Sequence, residues 1–207
     1  MDSGPASNTR PFFLLAPGAG APSTSRWMVA WRERLATLGE VVAFDYPYMR
    51  AGKKMPDRLP VLIAAHREAL IAATAGLDAG RSIFFIGKSM GSRVGCHLAV
   101  ELAGASSASP AGVICFGYPL QSGTSGALRD EVLLALRTPI LFVQGTRDSL
   151  CPLDKLAAVR ARMTAPNRLY VVEAGDHSLE VRKAAQAEAD DAVLAQIAAF
   201  VAAPGER

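Results

Sequence analysis

Six short apolar runs limit what this chain can fold into. They are Phe12–Ala16, Val41–Phe44, Ile83–Ile86, Gly112–Phe116, Ile140–Val143 and Leu169–Val172, each rich in β-branched or aromatic residues. Most are followed at once by Gly, Pro or Asp, as a strand entering a loop is. A strand that is apolar throughout, rather than at alternate positions, is buried on both faces. Helical stretches lie between the runs, at 26–38, 59–75, 90–103, 152–164 and 184–202; the last is Ala-rich with acidic residues early. Alternation of this kind predicts a three-layer α/β domain, with a mostly parallel sheet of about six strands and helices on both faces. Residues 1–10 are small and polar, and read as a flexible lead-in to one domain over 11–203. No repeat, low-complexity tract or linker divides that domain, and 207 residues, half of them apolar, suit a single core.

Composition removes several classes of function. Net charge is +3, from 22 Lys and Arg against 19 Asp and Glu, and no run of five basic residues occurs. A nucleic-acid surface has denser basic clustering with interleaved aromatics, so the basicity reads as solvated surface. Cys96, Cys115 and Cys151 have no metal-like spacing and cannot all pair within the chain, which points to a reducing compartment. The first ten residues lack the apolar stretch of a secretory signal, and no apolar run approaches a bilayer span of roughly 20 residues. The expectation is a cytoplasmic protein, with neither nucleic acid nor membrane as partner.

In a parallel sheet the ligand sits beyond the carboxyl ends of the strands. Beyond Ile83–Ile86 the chain reads Gly87-Lys-Ser-Met-Gly91, and a helical pattern begins at once. G-x-S-x-G between a strand and a helix describes a nucleophile on a sharp turn, with Gly87 and Gly91 small so that neighbouring backbones approach closely. The following helix aims its N-terminal N–H groups at the reacting centre. A phosphate-binding loop, G-x-x-x-x-G-K-[ST], would need Gly at 82, where Ser82 stands, and a loop where the run Ile83–Ile86 lies.

A serine hydroxyl needs a base within hydrogen-bond reach and a third group to orient that base. Of the three histidines, His66 and His97 fall within helical stretches, whereas His177 lies in Gly175-Asp-His-Ser178, directly after the last run. Asp148, after the run Ile140–Val143, is the acid. Asp176 is read as a turn former because it adjoins His177, and Asp45 is set aside because it precedes Ser89. Met90 N–H is expected to face a developing oxyanion, with a second N–H from the loop Ala16–Ala21, Ala19 before Gly20.

Five segments together carry a family resemblance: Pro17-Gly-Ala-Gly-Ala-Pro22, Phe44-Asp-Tyr-Pro-Tyr48, Gly87-Lys-Ser-Met-Gly-Ser-Arg93, Gly117-Tyr-Pro-Leu120 and Gly175-Asp-His-Ser178. From about residue 11 to 201 the chain resembles an alpha/beta-hydrolase of the dienelactone-hydrolase-like branch. More narrowly, it resembles the family of the testis-expressed hydrolase-like protein and the third NSL-complex subunit. The order Ser89, Asp148, His177 is the alpha/beta-hydrolase order. The first motif departs from the usual His-Gly, having Pro17-Gly18. The resemblance implies a serine hydrolase with no metal or organic cofactor, acting on a small-molecule ester. Thioesterase or peptidase chemistry uses the same residues, and a non-catalytic interaction module, with a protein partner, is the reading from another class.

Two further expectations concern access. Gly117–Thr138 is too short for a lid with its own core, so the site should be shallow, bounded by Tyr46, Tyr48, Tyr118, Leu120 and Leu150. Lys88, beside the nucleophile, either attracts an anionic acyl group or helps order the entrance, or else merely bonds a loop carbonyl.

Overall fold

The computed structural model describes residues 10–77, 80–103, 109–122 and 126–206. Along the chain run β1 (Phe12–Ala16), α1 (Arg26–Leu35), β2 (Glu40–Ala43), α2 (Pro47–Arg50), α3 (Leu59–Thr74), β3 (Ile83–Lys88) and α4 (Met90–Leu102). There follow β4 (Gly112–Phe116), α5 (Glu131–Ala135), β5 (Ile140–Gly145), α6 (Leu153–Arg160), β6 (Asn167–Val172) and α7 (Lys183–Ala202). The six strands form one parallel sheet in the order β2-β1-β3-β4-β5-β6. The chain goes from β1 outward to β2 and then returns to the other side of β1 as β3. The switch in winding direction therefore falls between β1 and β3, where a crevice opens at the strand ends.

Period-two alternation sends successive strand residues into two cores. Phe13, Leu15, Phe84, Ile86, Ile114 and Phe116 pack against α1 and α7 through Met28, Trp31, Val193, Ile197 and Phe200. Phe12, Leu14, Phe85, Val113, Cys115 and Phe142 face the other layer, with Leu98, Leu133 and Leu156 from α4, α5 and α6. β1, β3, β4 and β5 are the double-sided strands expected, but the edge strands are not. β2 and most of β6 are half-exposed, because each has a strand neighbour on one side only.

Several boundaries also differ from expectation. Of the lead-in 1–10, residues 1–9 lie outside the described residues, while Arg10 is anchored by its guanidinium to the carbonyls of Ala36 and Thr37 at 2.9 and 3.0 Å. α6 stops at Arg160, where Arg162 and Met163 close three-residue turns onto Val159 and Arg160. Between β4 and β5 the helix is confined to α5, since Leu128 makes a bridge with Gln121 and Leu136 is extended. α2, begun by Pro47 at its first position, is an added turn of helix. α7 has no acidic residue in its first turn; Asp190 instead pairs with Arg34 at 2.9 Å, so it serves α1–α7 packing rather than the helix dipole. Among the described residues between β4 and β5 no lid is evident, and no helix is long and apolar enough to cross a membrane. The three cysteines are free and buried.

Burial predicts two stability outcomes. Ile197→Ala, inside the α7–sheet core at 0 % exposure, should cost about 2–5 kcal/mol. Ile71→Ala, 62 % exposed on α3, should stay within about 0.5 kcal/mol of the parent. Urea unfolding with an unchanged slope measures both. A separate, pH-dependent outcome concerns His66, fully buried on α3 with Nδ1 3.2 Å from the Tyr46 hydroxyl; burial pushes its imidazole from the usual 6.5 down to about 3. Above pH 6.5 the ring is neutral in both states and contributes no pH dependence. As pH falls from there toward 3, only the unfolded chain takes up the proton, so stability is lost at about 1.4 kcal/mol per unit. His66→Gln, which keeps an acceptor for Tyr46, should remove that share of the acid slope. Equal slopes for parent and variant, from urea midpoints at neutral and mildly acid pH, would refute the assignment.

Candidate active site

Ser89 stands where β3 ends and α4 begins, with φ 49° and ψ −115°. A left-handed conformation is strained for a non-glycine residue and survives only when its surroundings enforce it. Hydrogen bonds hold the peptide groups on either side. Ser89 N–H donates to the Phe116 carbonyl at 2.8 Å, and the Ser89 carbonyl accepts both the N–H and the hydroxyl of Ser92 at 3.0 and 2.6 Å. The turn leaves no room for side chains on either flank. A Cβ at Gly87 would lie 2.2 Å from Ser92 N, and one at Gly91 2.6 Å from the carbonyl oxygens of Ala16 and Pro17. β1 and the loop beyond it are thereby brought against the first turn of α4, whose leading N–H groups have no carbonyl within the helix to meet.

The sequence-predicted trio comes together at this turn. His177 Nε2 lies 2.8 Å from Ser89 Oγ, and His177 Nδ1 lies 2.7 Å from Asp148 Oδ2. Asp148 is 4 % exposed, and each carboxylate oxygen has a further N–H. Leu150 N–H donates to Oδ1 at 2.8 Å, and Gln144 Nε2 donates to Oδ2. A carboxylate surrounded by donors accepts from Nδ1–H, which leaves Nε2 to accept from the Ser89 hydroxyl. His177 rides on a tightly folded loop. Asp176 is the turn former expected, its Oδ1 accepting N–H from Ser178 and Glu180 at 2.7 and 3.0 Å. Ala174 and Leu179, on either side of His177, have φ of 57° and 63°; with Ser89 they are the positive-φ non-glycine residues among those described.

The loop after β1 crosses above Ser89. A Cβ on Gly18 would stand 3.5 Å from the Ser89 Cβ, and the Tyr48 hydroxyl fixes the Ala19 carbonyl at 2.9 Å. In a trans peptide the Gly20 N–H therefore points away from Tyr48. Asp45 anchors the far end of this loop by accepting Ser23 N–H at 2.6 Å. Lys88 places its Nζ 4.6 Å from the centre of the Trp27 ring. Burial lowers its pKa, opposed by the charges of Glu180 and Asp176. Trp27 in turn donates its indole N–H to the Ser178 carbonyl at 2.8 Å and packs edge-on against Phe116. One side chain on α1 thus touches the residue before Ser89 and the residue after His177.

The expected rim of tyrosines and leucines is not formed. Tyr46, Tyr48, Tyr118 and Leu120 are all within 2 % of full burial, because each tyrosine hydroxyl has an interior partner: His66 for Tyr46, Ala19 for Tyr48 and Arg129 for Tyr118. These residues are scaffold. Leu150 is half-buried and serves Asp148 through its backbone. His66 and His97 both pack on helices away from Ser89, and burial lowers the pKa of each. Gln144 and Trp27 are neighbours of the trio that sequence reasoning missed; the one available signal was a polar Gln144 within an otherwise apolar strand. Neither a 660 Å³ groove along Trp27, Trp31 and Gln186 nor a 250 Å³ one at Leu59–Arg67 is lined by Ser89 or His177. Among the described residues no group of three or more His, Cys, Asp or Glu side chains has the arrangement of a metal site.

The same architecture occurs in solved structures. An alpha-beta serine hydrolase homologue from Coxiella burnetii is similar with a TM-score of 0.69 at 16 % identity, covering 91 % of this chain and 88 % of its own. The type II thioesterase BorB from the borrelidin biosynthetic cluster gives 0.67 at 20 % identity, with 94 % of each chain covered. Dienelactone hydrolase from Anabaena variabilis gives 0.69 at 17 %, covering 94 % of this chain and 87 % of its own. At such identities the likeness is one of fold. Sequence carries the assignment further: the family described as alpha/beta hydrolase domain matches residues 9–204, nearly the whole chain, and the protein belongs to that family.

Proposed function

We propose that this chain is a serine hydrolase that cleaves carboxylic esters with short acyl groups, using Ser89 as nucleophile, His177 as base and Asp148 as the orienting acid. The observation that carries the reading is the unbroken hydrogen-bonded series from Ser89 Oγ through His177 to Asp148, at 2.8 and 2.7 Å. Ser89 Oγ attacks the ester carbonyl carbon while its proton passes to His177 Nε2. The resulting oxyanion is met by Met90 N–H and by an N–H of the Gly18–Gly20 loop, Ala19 before Gly20. Collapse breaks the C–O bond, His177 returns its proton to the leaving alkoxide, and an acyl group remains on Ser89. Water then attacks, giving its proton to His177, and a second collapse releases the acid and restores the Ser89 hydroxyl. Asp148 remains an anion and stabilises the imidazolium formed in each half. Among hydrolases we place the chain in the dienelactone-hydrolase-like branch, on the motifs around Ser89 and His177.

The short-acyl preference rests on the short connection between β4 and β5, in which no lid is evident among the described residues. An open crevice grips little of a long chain and excludes water poorly. Thioesters share the chemistry, so oxygen esters and thioesters of equal acyl length belong in one substrate panel.

Ser89→Ala, Asp148→Asn and His177→Ala are each expected to lower turnover of a p-nitrophenyl ester by at least about 1,000-fold with the fold retained. A fluorophosphonate should label the parent at Ser89; an unlabelled, inactive parent would favour the interaction-module reading instead. Across acyl lengths from about two to about sixteen carbons, the rate should peak among the short esters with no jump at the micelle threshold. An optimum near twelve carbons or beyond would contradict the open site.

A further inference from the structure

Gln144 is an anomaly in its strand. It follows Ile-Leu-Phe-Val in β5, is 0 % exposed, and fills a place where an apolar side chain would bring no unpaired polar atoms. Both ends of its amide are engaged. Oε1 accepts the Tyr118 N–H at 3.1 Å, which fixes the orientation of the amide and turns Nε2 toward Asp148. The oxygen that receives this donation is Oδ2, the same one that faces His177 Nδ1. Leu150 N–H holds the other oxygen, so the carboxylate cannot rotate without losing a bond in the interior.

We propose that Gln144 is a positioning residue for hydrolysis: it locks Asp148 Oδ2 toward His177 and keeps that oxygen an acceptor, without itself meeting substrate. The proposal rests on the Ser89–His177–Asp148 reading above. Besides His177, the Cys151 thiol feels Asp148; it is pushed up to about 12, chiefly by burial and then by the Asp148 charge, and is therefore neutral. Tyr118 contributes only its backbone N–H here, its hydroxyl being spent on the Arg129 carbonyl.

The test exploits a change of one atom. In Gln144→Glu the protonated carboxyl preserves the pattern, its O–H donating to Asp148 and its carbonyl accepting from Tyr118. Once ionised it donates nothing and opposes Asp148 with a like charge, which contact distance forbids. Values of kcat and KM on p-nitrophenyl acetate, from about pH 5 to about pH 9, are compared for the parent, Gln144→Glu and Gln144→Met, with circular dichroism monitoring the fold. The parent's profile is the reference. Gln144→Glu should rise and then fall again toward alkaline pH with KM little changed. Gln144→Met should lose about 100-fold in kcat at every pH, the cost of a displaced catalytic group. A Gln144→Glu profile with the parent's shape, or a folded Gln144→Met with the parent's kcat, overturns the role. If Gln144→Glu unfolds at alkaline pH, Gln144→Met decides by the same criterion. A parent that neither turns over the ester nor labels with a fluorophosphonate overturns the hydrolase reading itself, a different result from an active parent with an indifferent Gln144.

Discussion

Everything at the crevice hangs on a backbone conformation that close packing alone can maintain. Ser89 at φ 49° costs on the order of 1–3 kcal/mol, and it persists because β4, the start of α4 and the end of β1 converge on it. The Phe116 carbonyl takes its N–H, Ser92 takes its carbonyl, and the absence of Cβ atoms at Gly87 and Gly91 lets α4 descend onto the loop beyond β1. The strain has a geometric product: the hydroxyl is lifted clear of the sheet, into the crevice at the switch between β1 and β3.

A second constraint is electrostatic. A carboxylate at 4 % exposure is costly unless its lone pairs are satisfied, and Asp148 is satisfied by Leu150, Gln144 and His177 together. Each donor comes from a different direction: the turn after Asp148, the strand before it, and the loop beyond β6. The arrangement that removes the burial penalty also selects the tautomer of His177 and its orientation toward Ser89.

The loops that meet at the crevice are joined by side chains rather than by a shared sheet. Trp27 links Lys88 to Ser178, Tyr48 restrains Ala19, and Asp45 restrains Ser23. Ala174 and Leu179, both at positive φ, bracket His177, and Ser89 itself has positive φ. Among the described residues, positive-φ strain outside glycine is thus concentrated near Ser89 and His177, where the neighbouring packing can enforce it.

Much of this was legible in the sequence, because the signals were local and backbone-driven. β1 and β4 have the ends that their apolar runs predict, and Gly87, Gly91 and Asp176 perform the roles their residue types imply. The trio Ser89, Asp148 and His177 could be named because a parallel sheet places every post-strand loop on one edge. What the sequence could not determine is where a side chain goes once it leaves its own element. Tyr46, Tyr48, Tyr118 and Leu120 sit in loops that read as a rim, yet turn inward, because backbone carbonyls and His66 offer the tyrosine hydroxyls partners and the surrounding apolar clusters offer their side chains contact. Lys88 turns to an aromatic ring 61 residues away in the chain, and Gln144 finds Asp148 only because the turn after β5 folds back over its own strand. Period, turn chemistry and residue size act over a few positions and can be read along the chain; pairing between distant side chains depends on the packed geometry, and only the tertiary structure decides it.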